Sequence, residues 1–118
     1  MLMSRAPEMM QIKKNECSVL PLVLMGKWYD LIASGEKREE YRTSKNVIRQ
    51  IERWVGHGYI MRKHLVVEFY LGYQRNRKHM AFLAELPVCR EGAKHPEWGE
   101  PEERHYVIPI LGEMVVIE

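Results

Sequence analysis

The chain has 118 residues, 46% of them hydrophobic and 29% charged, with a formal net charge of +2. That length is the material of one domain, and that balance excludes both a disordered chain and a membrane-embedded one. The charge is unevenly placed: between residues 37 and 78 eleven Lys and Arg stand against four Glu, a local excess of +7 that leaves −5 for the remainder. A basic middle of this kind is either an uneven solvated surface or a face that attracts a polyanion.

Residues 1–16 are polar and Met-rich without a period, and read as an N-terminal arm ahead of a domain over 17–118. They lack the continuous apolar segment of a secretory signal, so a cytoplasmic location is expected. "VLPLVLM", Val19 to Met25, is too short to span a bilayer and predicts the first strand. Trp28, Leu31 and Ile32 then fall at helical spacing, predicting a short helix over Lys27–Ser34 that Gly35 ends in a left-handed cap. A charged segment begins the next strand. A second helix follows, capped by Thr43 or Ser44, with Val47, Ile48, Ile51, Trp54 and Val55 inward and "GHG" at 56–58 as its stop. From Leu65 the period becomes two, and further strands are predicted over Lys78–Val88, Arg104–Ile110 and Glu113–Ile117, with a Gly/Pro/Glu-rich loop between the first two of these. Short strands with two flanking helices predict an α+β domain on a small, strongly curved sheet or barrel. The five histidines and the two cysteines, Cys17 and Cys89, show no metal-ligand spacing, so neither a metal nor a cofactor is expected and the thiols read as reduced.

The segment "KWYDLIASGEKREEYR" concentrates the chemistry. In an extended chain after Gly35, Arg38, Glu40 and Arg42 project to one side and Glu39 and Tyr41 to the other, with Lys37 at the turn. Such a cluster is either a surface ion-pair ladder of small energetic value or the floor of a polar pocket.

Here the residues resemble a known family. "LIASGEKREEYR" is similar to the signature of ASCH domains, in which an apolar helix ends in Gly-x-Lys and is followed by Glu-x-Arg; Gly35, Lys37, Glu40 and Arg42 are the matching positions. "FYLGYQRNRKHM" and "EWGEPEERHYVIPILGEM" look like the aromatic Gly-Tyr turn and the Trp-Gly loop of short stand-alone bacterial or phage members. The resemblance runs from about Val19 to the C-terminus. It implies a PUA-like curved barrel with flanking helices, and a cleft between barrel and helix that accepts single-stranded RNA or a nucleoside-like ligand.

The residue types suit that ligand. Glu40 offers acceptors to an exocyclic amine, Arg42 a fork and Lys37 a point charge for phosphate or carbonyl oxygen. Tyr70, Tyr73 and Trp98 offer faces for an unpaired base, against the plainer reading that they pack in core or hairpin. Arg38, Arg75, Arg77 and Lys78, with the outer face of the second helix, supply attraction for the RNA backbone.

Some ASCH relatives are amidohydrolases that deacetylate acetylcytidine through a Lys and a Thr of the segment matching residues 37–42 and a Glu from elsewhere in the chain, a role to which no Glu is assigned here. Lys37 matches that lysine, but Glu40 stands where the threonine would be. Others are similar to ribonucleases, for which Lys37 and Tyr73 are the acid/base candidates. A protein-interaction module, docking through the acidic loop and the arm, is the third class.

Overall fold

The computed structural model describes residues 9–118. They form β1 (Met10–Ile12), β2 (Cys17–Leu24), α1 (Gly26–Ala33), β3 (Glu39–Arg42), α2 (Lys45–Ile60), β4 (His64–Leu71), β5 (His79–Ala84), β6 (Val88–Arg90) and β7 (His105–Ile117), with short 3₁₀ turns at Lys14–Glu16 and Pro96–Trp98. The fold is α+β: one seven-stranded mixed sheet with two helices.

β7 organises the sheet because it is paired along both edges. Val107 pairs with Tyr41 of β3 on one side and with Val88 of β6 on the other, while Val115 pairs with Met10 of β1 and Ala81 of β5. The path continues from β5 antiparallel to β4 and from β4 parallel to β2. β2 has β4 as its only strand partner among the described residues, so the expected barrel is not closed. A helix lies along that border instead: Trp54 Nε1 in α2 donates to the Ser18 carbonyl at 2.7 Å, and Ser18 Oγ donates to the Trp54 carbonyl at 2.9 Å.

The main core gathers Leu20, Leu22 and Leu24 of β2, Phe69, Phe82 and Ile108 of the sheet, Tyr29 and Ile32 of α1, and Ile51 and Trp54 of α2. Burying an aliphatic or Phe side chain of this size is worth about 1.5–3 kcal/mol, so this contact holds both helices on the sheet. Ile12, Cys17, Val66, Ala81 and Val115 form a second, smaller cluster.

Four boundaries differ from the sequence reading, each for a local reason. Part of the arm joins the sheet, with β1 parallel to residues 115–117 and Ile12 buried; three residues are too few to carry a detectable period. Residues 1–8 of that arm lie outside the described residues. α2 does not stop at the glycines but runs on to Ile60, with Gly58 buried against β4, where a Cβ would lie 2.6 Å from Leu65 Cδ2. It ends instead in a Schellman turn, Lys63 N–H to Gly58 O and Arg62 N–H to Tyr59 O, with Arg62 at φ 52 in the position glycine usually takes. The strand expected over 78–88 divides into β5 and β6 around Pro87, whereas the last two expected strands are one, the chain staying extended through Gly112 while a register shift opposite Phe82–Ala84 absorbs the bend.

Candidate functional site

The end of α1 fixes the start of the site. Gly35 adopts φ 83 and donates its N–H to the Ile32 carbonyl, and the Lys37 N–H returns to the Leu31 carbonyl at 2.9 Å. The chain therefore leaves the helix with Lys37 turned under it. β3 then pairs antiparallel with β7, Glu40 opposite Ile108 and Arg42 opposite Tyr106, so the alternation of a strand carries Glu40 and Arg42 to one side together.

Three charged side chains meet there. Lys37 Nζ donates to Glu40 Oε1 at 3.0 Å and to the Trp98 carbonyl at 2.6 Å, and lies 4.8 Å from the ring centroids of both Trp28 and Tyr41. Glu40 Oε2 accepts from Arg42 Nη2 at 2.6 Å, and the same Nη2 reaches the Val23 carbonyl at 3.0 Å. Lys37 is 3% exposed and Glu40 6%, which makes this a buried cluster and not a surface ladder. Burial pulls the Lys37 ammonium below its usual range, with the Glu40 carboxylate and its hydrogen bond opposing that pull.

The cluster lines a cleft of about 440 Å³ whose aromatic walls are Trp28, Tyr41 and Trp98 and whose far end reaches Ser44 and Val47 at the start of α2. Its mouth is shaped by the loop between β6 and β7. Gly99 takes φ 80 and lies so near Trp28 that a Cβ would stand 2.8 Å from the indole, while Trp98 stacks on His95 at 4.0 Å between centroids. Among the described residues, Arg42 Nε is buried and has no hydrogen-bond partner. A guanidinium donor in a low-dielectric wall with nothing to bond is costly.

A second network hangs from the other side of β3. Arg90 bridges Glu39, at 2.9 and 3.1 Å, and Glu100, at 2.6 Å; Tyr41 Oη donates to Glu39 at 2.9 Å. Glu100 Oε1 accepts from the backbone N–H groups of Lys94 and His95, and its Oε2 lies 2.7 Å from His105 Nε2. Burial would raise the Glu100 carboxyl, but the bonds from His105, the His95 and Lys94 backbone and Arg90 overcome it and hold it down to about 2. This network anchors the 91–104 loop, and through it the Trp98 carbonyl that holds Lys37.

Of the residues the sequence singles out, Lys37, Glu40, Arg42 and Trp98 come together in the cleft. Gly35 shapes the turn before it. Arg38 precedes β3 and is exposed, its Nε bonded to the Gly35 carbonyl, so the second cation on Glu40 is Lys37 and not Arg38. Tyr70, Tyr73, Arg75, Arg77 and Lys78 belong to the β4–β5 hairpin, one strand removed from the cleft: the Arg77 guanidinium lies 4.6 Å from the Tyr70 ring centroid, Tyr70 Oη bonds Glu68, and Tyr73 is 82% exposed. The structure does not bring Tyr73 into the lining with Lys37. Sequence reasoning missed Trp28 and Tyr41 as walls, and the whole Glu39–Arg90–Glu100–His105 network. Alternation did place Glu39 and Tyr41 together, but no spacing links them to Arg90 or to a loop carboxylate.

No helix among the described residues is long and apolar enough to cross a membrane. Comparison with family models, with curated proteins and with solved structures gives no match, which leaves the site to be read from its own geometry.

Proposed function

We propose that this is a cytoplasmic RNA- or nucleoside-binding domain of the ASCH type, on a PUA-like sheet, whose ligand sits in the Lys37–Glu40–Arg42 cleft. The observation that carries the reading is the Lys37–Glu40–Arg42 cluster lining an aromatic-walled cavity of about 440 Å³. Nη2 is fixed on Val23 and Glu40, so the guanidinium is held in one orientation, and the 21% of the side chain left exposed at the cleft can meet a carbonyl or phosphate oxygen. Trp28 and Trp98 supply planar apolar surface for a base. Glu40 already engages both cations and serves first as the internal counter-ion that keeps them in place.

Hydrolysis of RNA or of a modified nucleoside is the second reading, favoured by the burial of Lys37, which pulls its pKa downward, the direction a lysine base needs, against the opposing pull of Glu40. A protein-interaction module is the third. The test is an anisotropy titration of labelled single-stranded RNA at two salt concentrations, followed by a denaturing gel. Saturable, salt-weakened binding of intact RNA that Lys37→Ala and Arg42→Ala abolish in folded protein supports the binding domain; shortened RNA points to the hydrolase. Affinity that both variants leave unchanged would show the site to be misassigned.

A further inference from the structure

A second depression continues the line of the cleft. The cleft meets β2 at Val23 and Leu24 and α2 at Ser44 and Val47. Along the same junction, where β2 and α2 run in opposite directions, a crevice of about 520 Å³ is floored by Cys17 to Pro21 and Trp54 and walled by Gln50, Arg53, His57 and Lys14. β2 is the terminal strand of the sheet path here, so this junction borders an edge that no other described strand covers. No carboxylate lines the crevice among the described residues.

The exposed face of α2 repeats a cation at every fourth position: Lys45, Arg49 and Arg53, followed by His57. Successive members rise about 6 Å along the axis, close to the separation of phosphates on an extended single strand. Arg49 and Arg53 share the adjoining groove with Gln50, Asn46 and Glu52, the one acid on this face. None of the ion pairs among the described residues involves Lys14, Lys45, Arg49 or Arg53. Among the described residues their charge is therefore uncommitted, whereas the cations of the cleft are held by Glu40.

The geometry points to the β2–α2 junction as a backbone track: a single-stranded RNA whose base occupies the Arg42 cleft continues along α2, its phosphates on Arg49, Arg53 and Lys14. This rests on the reading of the cleft, and assigns it a strand of several nucleotides in place of a free nucleoside. Charge complementarity and continuity with the cleft select the occupant, while the apolar floor leaves sugar edges a dry surface to lie on.

The test is a length ladder of single-stranded RNA, from one nucleotide to about 16 nucleotides, titrated against wild type, Arg42→Gln and the double variant Arg49→Gln/Arg53→Gln. Gln keeps the helix, and both arginines are on the solvent side. Wild-type affinity should rise with length until the track is filled. The double variant should flatten that rise, reduce the salt slope by about 1.4, two contacts at about 0.7 each, and leave mononucleotide binding unchanged. A ladder that is the same for wild type and the double variant overturns the track while leaving the cleft standing. A ladder that depends on Arg49 and Arg53 but not on Arg42 sustains the track and removes the cleft. Equal binding of an acidic peptide of matching charge overturns the assignment to RNA.

Discussion

Strand β3 feeds two charged networks, Glu40 and Arg42 on one face and Glu39 with the Tyr41 hydroxyl on the other, and they differ in how fully their hydrogen-bonding capacity is used. On the loop side, Glu100 accepts from two backbone N–H groups and from Arg90 while facing His105, and Arg90 in turn grips Glu39. On the cleft side, Arg42 keeps a buried donor with no partner beside a cavity. The two clusters contain similar residue types at similar burial. What separates them is saturation: a closed network rigidifies, whereas an open one is poised to bind.

The sharpest way to break this distinction is Glu100→Gln. Removing the charge leaves Arg90 and the buried His105 facing a neutral amide, and should cost about 3–5 kcal/mol of stability, read as a fall in the denaturation midpoint. A loss well under 1 kcal/mol would show the loop network to be ornamental. The same network predicts an acid limit. The Glu100 pKa is depressed from an ordinary 4.5 to about 2, so its contribution is complete above about 4.5 and is lost as pH falls toward 2. Glu39 shifts in the same direction: burial would raise its pKa, but the bonds from Arg90 and Tyr41 prevail. Wild-type stability should fall through that window, and the Glu100→Gln variant should fall less. Equal falls would show that other carboxylates govern acid unfolding.

On the cleft side the structural effect should be smaller. Lys37→Met removes the donor to Trp98 O and one cation from Glu40 but leaves Arg42 in place, at roughly 2 kcal/mol; denaturant titration reads this alongside loss of ligand. Gly99→Ala forces a side chain into φ 80 and into the Trp28 ring, at about 1–2 kcal/mol. Trp fluorescence should shift with it. Arg38→Gln, on the exposed Arg outside both networks, should change stability by no more than about 0.5 kcal/mol.

The sequence makes the local part of this site legible and the non-local part invisible. Helical spacing ending at Gly35, followed by alternation from Glu39 to Arg42, is enough to bring Lys37, Glu40 and Arg42 to one place, because neighbours within a turn and a strand are positioned by backbone geometry alone. Trp98 was a candidate from its residue type. Its carbonyl on Lys37, by contrast, is set across 61 residues by a loop whose path depends on Arg90 and Glu100 finding each other. The same limit applies to the sheet. Strand periods show in Leu65 to Tyr70, but nothing in them says that β7 will be paired along both edges or that α2 will lie along the border of β2.

The central claim is that Arg42 is the open end of an otherwise satisfied cluster. Its most direct measurement is calorimetric titration of single-stranded RNA into wild type and Arg42→Lys at equal stability. Lysine keeps the positive charge but has no guanidinium fork, so binding should drop at least about tenfold, a change of about 1.4 kcal/mol. Unchanged affinity in the folded Arg42→Lys protein would contradict the account.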